Sequence, residues 1–442
     1  MEGIDQLTER ANIDSQRVLP AGQYNMYAID GYIPHSVVAP QTDEEVCAVL
    51  RTAYESDWKV LPYGGGTAMS IGYPPSRMDI VLDMRYINSI VDFAPADMIV
   101  IAEAGVKLAN LQAELHQGGL FLPIDPPHAT HATIGGIIAT NAAGPLRCAY
   151  GTVRDWLIGI HVVQPDGTMT NFGGRVVKNV AGYDMMKLYA GSYGTLGVIT
   201  RAVFRLLPLP EAEVASLIAL STDEAVEKIL TAIVHSYLQP SSVVLMDASV
   251  ASQINWEKLT QLSHGYTLMV TFHDFAEAIE YQLNMLIELL PASDAEVIDT
   301  AWGTDARNLR ERVGWLQSGE GALLHIRITV LPSDIIPMSH CISTLAVKHE
   351  IECAMIAHAL DGVVYCSVSN ASDATLARFA TQLLDTVSQW RGNMIIERAP
   401  THLKRSLPVW GRSLNTFTLM RRIKELLDPK CIMCPGRFIG GL

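Results

Sequence analysis

The feature that most constrains the fold is a run of three adjacent glycines, Gly64-Gly65-Gly66, directly after the strand-like segment Lys59 to Tyr63. Adjacent glycines can adopt positive φ angles and place no Cβ between the backbone and a ligand, so their N–H groups can converge on a phosphate. A tight turn is the alternative interpretation, because glycine runs are common in loops. The run therefore needs support from other motifs.

Two further glycine-rich loops follow in the same block. Thr133 is expected to cap a helix whose first turn carries Gly135 and Gly136, and a helix N-terminus without side chains favours anions. The third loop, Gly191 to Gly197, has the composition of a dinucleotide fingerprint but precedes a strand instead of opening a helix. This context excludes a Rossmann site, and the sequence contains no Walker loop.

The three loops together predict one ligand. They are spread over about 130 residues of a single block, which indicates a ligand that is long, phosphorylated and largely buried. FAD fits this description better than a mononucleotide does.

The domain organisation follows from the alternation of strands and helices. Apolar strands alternate with helices up to Pro208-Leu209-Pro210, which is a plausible boundary, and a second strand–helix series without glycine-rich loops follows. We therefore expect an N-terminal extension, an FAD-binding domain, a smaller α+β domain and a C-terminal segment, at residues 1–35, 36–210, 211–395 and 396–442.

Composition excludes several classes of partner. The 442 residues carry a net charge of −14 and no run of Lys and Arg, which argues against nucleic acid. No apolar stretch reaches the ~18 residues of a membrane span, and the acidic N-terminus lacks the pattern of a secretory signal. We expect a cytoplasmic protein whose seven scattered cysteines are reduced thiols.

Four motifs carry a resemblance to a known family. Their order along the chain resembles the FAD domain of the vanillyl-alcohol-oxidase, or PCMH-type, family: Pro62 to Thr67, Ala132 to Gly136, Tyr150 to Asp155 and Gly191 to Gly197. More narrowly, the segment Phe172 to Asp184 is similar to the signature of the FAD-binding E-type subunit of bacterial glycolate oxidase. The resemblance is strong over residues 36 to 210 and loose beyond them.

This resemblance implies an α+β fold: a PCMH-type FAD-binding domain of two subdomains, a smaller ferredoxin-like α+β cap domain, and a C-terminal tail that returns to the FAD domain. FAD is expected to be non-covalent, because the Arg-Gly-Gly sequence and histidine of covalent relatives are absent. The implied FAD contacts are Pro62, Tyr63, Gly64, Gly65, Gly66, Thr67, Ala68, Ser70, Ala132, Thr133, Gly135, Gly136, Asn141, Gly144, Gly197, Val198 and Ile199.

Catalytic residues are harder to predict. Relatives that oxidise D-2-hydroxy acids carry a histidine-rich run with Gly-Asp-Gly-Asn, whereas this sequence has only His358-Ala359-Leu360-Asp361-Gly362. Oxidation by a flavin needs a group that takes the hydroxyl proton and a cation that holds the carboxylate. His358 is a candidate base and Arg327 a candidate clamp. A turn histidine and a solvent-facing strand arginine are the alternative interpretations.

Two residue pairs invite a metal or redox interpretation. His128 and His131 are three residues apart, but we find no further ligands for a metal and expect none. Cys431 and Cys434 form a lone CxxC, which lacks the second pair that an iron–sulfur or structural zinc site requires. The simpler interpretation is that the two histidines are loop residues near the cofactor and that the two cysteines are ordinary thiols.

The resemblance implies an FAD-binding subunit of a glycolate or D-2-hydroxy-acid dehydrogenase complex. Its partners would be a catalytic flavoprotein subunit, an iron–sulfur subunit and a small 2-hydroxy acid, with a peripheral position at the inner membrane through the complex. A self-sufficient FAD-dependent D-2-hydroxy-acid dehydrogenase and a non-catalytic assembly subunit with structural FAD are the alternatives.

Overall fold

The structure is a computed structural model that describes residues 11, 13–175, 183–259, 265–291, 293–412 and 415–442. Its described residues form two compact units that are discontinuous in sequence. Unit 1 comprises residues up to 142, residues 152–209 and residues from 413 onward, and unit 2 comprises 143–151 and 210–412. The short segment 143–151, which the sequence analysis included in the FAD-binding domain, therefore makes its contacts within unit 2.

Unit 1 contains three sheets. A parallel three-stranded sheet has the order β1-β3-β2, an antiparallel five-stranded sheet has the order β4-β5-β9-β7-β8, and a small antiparallel pair joins β6 to β10. The strands of unit 1 are β1 Ser36–Val38, β2 Val60–Tyr63, β3 Ile80–Asp83, β4 Ile90–Ala94, β5 Ile99–Glu103, β6 Leu120–Phe121, β7 Leu157–Val163, β8 Met169–Gly173, β9 Val198–Arg205 and β10 Leu207–Pro208.

The α-helices of unit 1 are short except for α1, α2 and α14, which have 14, 10 and 11 residues. All α-helices are numbered in chain order through both units. Those of unit 1 are α1 Asp43–Ser56, α2 Leu108–Gln117, α3 Ile134–Thr140, α5 Val153–Trp156, α6 Met186–Tyr189 and α14 Phe417–Leu427. Short 3-10 helices cover Ser15–Arg17, Ala21–Tyr27, Met84–Tyr86, Pro95–Asp97 and Ile439–Gly441.

Helix α1 shows how the sequence sets these elements. Thr42 Oγ1 accepts a hydrogen bond from the N–H of Glu45 at 3.2 Å, while the Glu45 carboxylate accepts one from the N–H of Gln41 at 2.6 Å. The apolar face of the helix buries Val46 and Leu50 in a core shared with β2 and β3. In the sequence, Thr42 followed three residues later by Glu45 has the pattern of a capping box, which predicts a helix start here. The structure confirms this cap, because the Thr42 hydroxyl satisfies a donor that the first helical turn cannot.

Unit 2 is built on one antiparallel sheet of eight strands, in the order β14-β11-β13-β12-β16-β17-β15-β18. From its outer edge inward, each half of this sheet has its strands in the order fourth, first, third and second along its own part of the chain, which is the ferredoxin-like arrangement. The unit therefore holds two ferredoxin-like repeats where the sequence predicted one, and β12 and β16 join them edge to edge. A continuous sheet results because each repeat covers an edge strand of the other.

The strands of unit 2 are β11 Ala212–Leu220, β12 Ser242–Asp247, β13 Tyr266–Asp274, β14 Ala295–Trp302, β15 Leu324–Thr329, β16 Cys353–His358, β17 Val363–Val368 and β18 Asn393–Arg398. Its helices are α4 Arg147–Tyr150, α7 Asp223–His235, α8 Ala248–Gln253, α9 Ala276–Glu288, α10 Thr304–Gln317, α11 Ile335–His349, α12 Asp373–Gln389 and α13 Thr401–Ser406. Further 3-10 turns cover Glu257–Leu259 and Pro332–Asp334.

Pro165-Asp166-Gly167 is a turn sequence that predicts a hairpin between its flanking segments, and the structure has this hairpin as β7 and β8, which pair antiparallel. The glycolate-oxidase-like signature Phe172 to Asp184 is covered only at its two ends, since Val176 to Gly182 lie outside the described residues. No helix in the described ranges is long and apolar enough to cross a bilayer.

Candidate functional site

The first glycine loop follows β2, and the backbone N–H groups of its three glycines are unused as hydrogen-bond donors. Among the described residues, the backbone N–H groups of Gly64, Gly65 and Gly66 donate to no protein acceptor. Gly66 has a φ of 77°, a conformation that side chains with a Cβ rarely adopt. Consecutive unused N–H groups in a loop are the arrangement that binds anions such as phosphate.

The surroundings of this loop require glycine for a second reason. A Cβ on Gly65 would lie 1.8 Å from the carbonyl oxygen of His131, and a Cβ on Gly64 would lie 2.3 Å from Thr133 Oγ1. The first loop therefore packs directly on the second, and any larger side chain would separate them.

The second loop differs from the sequence prediction. Thr133 does cap α3, accepting a hydrogen bond from the N–H of Gly136 at 3.4 Å. However, the N–H groups of Ile134 and Gly135 donate to the carbonyls of Val106 and Ala104 at 2.9 and 2.8 Å. The free anion site predicted at this helix N-terminus was therefore wrong, because the protein itself uses the donors of the first turn.

The third loop is tied to the C-terminal end of α3. The N–H groups of Gly191 and Tyr193 donate to the carbonyls of Ile138 and Ala139 at 3.0 and 2.7 Å. Gly197 ends the loop with a φ of 155°, and a Cβ there would lie 2.9 Å from the carbonyl oxygen of Val163. The second and third loops are thus fixed to opposite ends of one short helix.

Asn141 is the C-cap of α3 and offers a polar group without an internal use. Its φ is 49°, in the left-handed region, and its Oδ1 is buried with no hydrogen-bond partner among the described atoms. A buried amide oxygen without a partner costs free energy unless a ligand or water supplies a donor. The residue therefore fits the cofactor contact that the resemblance implies for it.

The remaining predicted cofactor residues fall in five places. Pro62 and Tyr63 end β2, Val198 and Ile199 begin β9, and Gly144 lies in unit 2. Thr67, Ala68 and Ser70 form the turn after the triplet, and Ala132 N–H donates to the carbonyl of His128 at 2.7 Å.

A cluster beneath Tyr63 has no clear pattern in the sequence. The Tyr63 ring packs edge-on against the Tyr27 ring, with 5.0 Å between the centroids, and the guanidinium of Arg85 lies 5.8 Å from the centroid of the Tyr63 ring. Arg85 pairs with the buried carboxylate of Asp83 at 2.7 Å, and the Tyr27 hydroxyl donates to that carboxylate at 2.7 Å. The cluster fixes the ring directly before the glycine triplet. Because its members are far apart in sequence, only the fold brings them together.

These features fit FAD: a row of unused donors suits its phosphates, and the buried amide oxygen of Asn141 suits a donor on the cofactor. When bound, FAD supplies the redox chemistry. The residues of unit 1 supply binding and orientation.

In unit 2 the predicted base is inaccessible. His358 is 2% exposed, its Nε2 lies 2.9 Å from Gln317 Oε1, and its Nδ1 is buried without a hydrogen-bond partner among the described atoms. Gln317 in turn donates to the hydroxyl of Tyr365 at 2.9 Å. Burial, together with the charge of Arg147, lowers the pKa of His358 to about 3, so the imidazole is a weak base at neutral pH.

The predicted carboxylate clamp is occupied. Arg327 Nε donates to Glu397 Oε1 at 2.6 Å, on the neighbouring strand β18. Glu397 also lies 3.7 Å from Nε2 of the buried His325. Arg327 is thus a half-buried strand residue whose guanidinium already has a carboxylate partner.

Sequence reasoning missed a charged cluster around a buried carboxylate in unit 2. Glu213 is buried, and its carboxylate lies 2.9 Å from Arg310 Nε, 3.3 Å from His273 Nε2 and 3.5 Å from Arg307 Nε. Burial raises the pKa of Glu213, but the neighbouring His273 and Arg310 outweigh it and lower the pKa to about 2. No spacing reveals this group, because its members come from β11, β13 and α10.

The thiols and histidines of the described residues show no metal centre: no group of three or more His, Cys, Asp or Glu side chains there could hold an ion. His131 Nδ1 lies 2.9 Å from the hydroxyl of its neighbour Thr130. Burial raises the pKa of the Cys434 thiol to about 11, which makes it a poor nucleophile.

Comparison with known proteins identifies the class. Residues 34–173 match the model of an FAD binding domain, and residues 209–438 match the C-terminal domain of FAD linked oxidases. The fold is that of 4-ethylphenol oxidase from Gulosibacter chungangensis, with a TM-score of 0.77, 16% identity, and coverage of 99% of this chain and 96% of the other. The protein is an FAD-dependent oxidoreductase with a PCMH-type fold.

The chain belongs to the FAD-linked oxidase family. It is 30% identical over 410 residues to D-lactate dehydrogenase of Archaeoglobus fulgidus, covering 91% of each chain. It is 25% identical to glycolate oxidase subunit GlcD of Bacillus subtilis, covering 92% of this chain and 89% of the relative. A 167-residue segment is 40% identical to glycolate oxidase subunit GlcE of Escherichia coli, covering 38% of this chain and 47% of the relative. The family thus comprises dehydrogenases of D-lactate, glycolate and related 2-hydroxy acids.

Proposed function

We propose that this chain is the FAD-binding subunit of a glycolate-type D-2-hydroxy-acid dehydrogenase complex. It works with a catalytic flavoprotein subunit and an iron–sulfur subunit that passes electrons toward the membrane quinone pool. The complex is cytoplasmic and peripheral at the inner membrane. The 40% identity to glycolate oxidase subunit GlcE over 167 residues supports the subunit role.

The observation that carries the proposal is the state of His358. A base must reach the substrate hydroxyl and must accept a proton near neutral pH. His358 is buried, bonded to Gln317 through Nε2 and held neutral, with a pKa lowered to about 3 by burial and by Arg147. The chain therefore depends on a partner for substrate oxidation.

The residues of unit 1 have a defined part in this function. The N–H groups of Gly64 to Gly66 hold the phosphates of FAD, and the amide of Asn141 orients the cofactor through its buried Oδ1. The cofactor is bound without a covalent link. Acid precipitation of the loaded protein should accordingly release all flavin into the supernatant.

An anaerobic flavin spectrum of the isolated, FAD-loaded chain tests the proposal. Addition of glycolate and then D-lactate should leave the flavin oxidised, and addition of the catalytic partner should restore bleaching. Bleaching by the isolated chain would instead support a self-sufficient dehydrogenase, for which the full-length similarity to D-lactate dehydrogenase is the favouring observation. In that case His358→Ala should abolish the bleaching.

The third candidate function, an assembly subunit with structural FAD, is distinguished from an electron-relaying subunit by experiments on the assembled complex. Variants of the glycine triplet would then lower the stability of the complex and leave the flavin chemistry of the partner unchanged. If this chain relays electrons, the same variants slow turnover of the assembled complex.

A further inference from the structure

The C-terminal tail, residues 428–438, runs alongside the strand that leads into the first glycine loop. The N–H of Val60 on β2 donates to the carbonyl of Ile432 at 2.8 Å, and the N–H of Cys434 donates to the carbonyl of Val60 at 3.0 Å. Met433 thereby forms a parallel bridge with Val60. The tail extends the sheet beside the strand that positions the glycine triplet.

Lys424, on α14, connects this tail to the third glycine loop. Its Nζ donates to the carbonyl of Thr195 at 2.7 Å, to Asp428 Oδ2 at 2.6 Å and to the carbonyl of Met433 at 2.9 Å. The side chain is 5% exposed. An ammonium group has three donors, and all three are used within unit 1.

Asp428 completes the connection. Its carboxylate is fully buried and accepts hydrogen bonds from the N–H groups of Ile432 at 3.0 Å and Met433 at 2.8 Å. A buried ion pair adds little stability compared with apolar residues of similar volume, but it dictates which groups meet. Here the pair fixes the turn of the tail against the carbonyl of Thr195.

Arg437 contacts the chain after the glycine triplet, at the far end of the first loop. Its Nη2 donates to the carbonyls of Met69 and Ile71 at 2.8 and 2.7 Å, while its own carbonyl accepts a hydrogen bond from the N–H of Tyr73 at 3.0 Å. These residues follow the glycine triplet directly. The tail therefore holds the chain both before the triplet, at Val60, and after it.

We propose that Lys424 and Arg437 are positioning residues of the FAD site, which hold the first and third glycine loops in their cofactor-binding conformation before FAD arrives. Glycine-rich segments have the most conformational freedom to lose when a ligand orders them. Hydrogen bonds that order the loops in advance remove that cost from binding and raise affinity. The inference depends on FAD as the cofactor and not on the proposed substrate or complex.

Arg437→Met in the full-length chain tests the first contact. FAD titrated into the apoprotein, followed by flavin fluorescence, should bind at least tenfold more weakly and associate more slowly, whereas the melting temperature of the apoprotein should change little. Arg437→Lys retains the charge and should bind FAD with intermediate affinity. The matched control is Lys430→Met, because the ammonium of exposed Lys430 in the same tail donates to the carbonyl of Tyr54 on α1 and lies 4.3 Å from the centroid of the Tyr54 ring.

The second contact is tested by the double substitution Lys424→Met and Asp428→Asn, which removes both buried charges together and leaves no unpaired ion. We expect cooperative unfolding to persist and FAD affinity to fall at least tenfold. Folded variants that bind FAD as tightly as the wild type would overturn the proposal, as would an equal loss of affinity in Lys430→Met. If Arg437→Met does not fold, wild-type affinity in Arg437→Lys contradicts the proposal.

Discussion

The candidate ligand-binding groups of unit 1 and the candidate catalytic groups of unit 2 differ in whether the protein itself provides their partners. In unit 1 the three N–H groups of the glycine triplet and the amide oxygen of Asn141 have no protein partner among the described residues. In unit 2 the two side chains that the sequence singled out already have protein partners: His358 Nε2 lies 2.9 Å from Gln317 Oε1, and Arg327 Nε donates to Glu397 Oε1, although His358 Nδ1 has no hydrogen-bond partner among the described atoms. A row of unused donors in a loop indicates a ligand, whereas side chains paired within the protein indicate a structural role.

This difference also explains why similar residue types have different roles. A charged pair of unit 2 such as Glu213 and Arg310 stabilises one packing of the sheet, and its removal affects folding. An unused backbone donor contributes nothing until the ligand binds, so its displacement affects affinity. Variants that displace the unused donors of unit 1 should therefore lose cofactor affinity, whereas variants of the charged pairs of unit 2 should lose stability.

The largest effect is expected for Gly65→Val. The new Cβ would lie 1.8 Å from the carbonyl oxygen of His131, so the first and second loops must separate. FAD binding should be lost, as measured by flavin absorbance of the purified protein. Gly22→Ala is the control within the same unit, because a Cβ there meets no atom within 4 Å. Retention of stoichiometric flavin by Gly65→Val would contradict the assignment of the loop.

A large effect on stability, without direct loss of cofactor contacts, is expected for Glu213→Gln in unit 2. The substitution leaves Arg310, which is buried beside Glu213 at 2.9 Å, without its charge partner. Breaking a buried pair in this way typically costs about 3–5 kcal/mol. Urea denaturation of the holoprotein measures the loss. A change below about 1 kcal/mol would show that the cluster is solvated in solution.

A smaller effect on the free energy of unfolding is expected when the pH is lowered. Unfolded His358 takes up a proton near pH 6.5, whereas burial and Arg147 keep the folded side chain neutral down to about pH 3. The unfolded state therefore binds more protons in this window, and the free energy of unfolding falls as pH decreases, by about 1.4 kcal/mol per pH unit from this group. His358→Gln should reduce that slope between pH 6 and pH 4. An identical slope in both proteins would place His358 in contact with solvent.

The smallest effect is expected for Asn141→Gly in unit 1. Glycine accepts the left-handed φ of 49° without strain, so the substitution removes the amide and keeps the backbone conformation. FAD affinity should fall about fivefold, the equivalent of about 1 kcal/mol for one hydrogen bond. The melting temperature of the apoprotein should stay constant or rise. Unchanged affinity in isothermal titration would remove Asn141 from the cofactor site.

Much of unit 1 could be predicted from local sequence. Thr42 and Thr133 were predicted to cap helices and do so, because capping depends on residues within one helical turn. The partners of the Thr133 helix were not predictable, since the N–H groups of its first turn bond to carbonyls about 30 residues earlier, at Ala104 and Val106. The prediction of a free anion site failed for that reason.

The catalytic predictions show the same limit in unit 2. The sequence around His358 identifies a degenerate form of a family motif, but it does not reveal that Gln317, 41 residues away, bonds to the imidazole. Nor does it show that Glu397 lies beside Arg327 on a neighbouring strand. Whether a histidine or an arginine is available to a substrate depends on such partners.

The sequence by itself determined the cofactor class and the family, because glycine positions, their order and the strands before them are local features that a linear chain displays. Only the tertiary structure decided which donors remain unused, which charges are paired, and how Lys424 and Arg437 of the tail reach the loops. The physical reason is that burial and hydrogen-bond partnership are properties of three-dimensional contacts. Residues more than 200 positions apart, such as Lys424 and Thr195, meet only once the chain has folded.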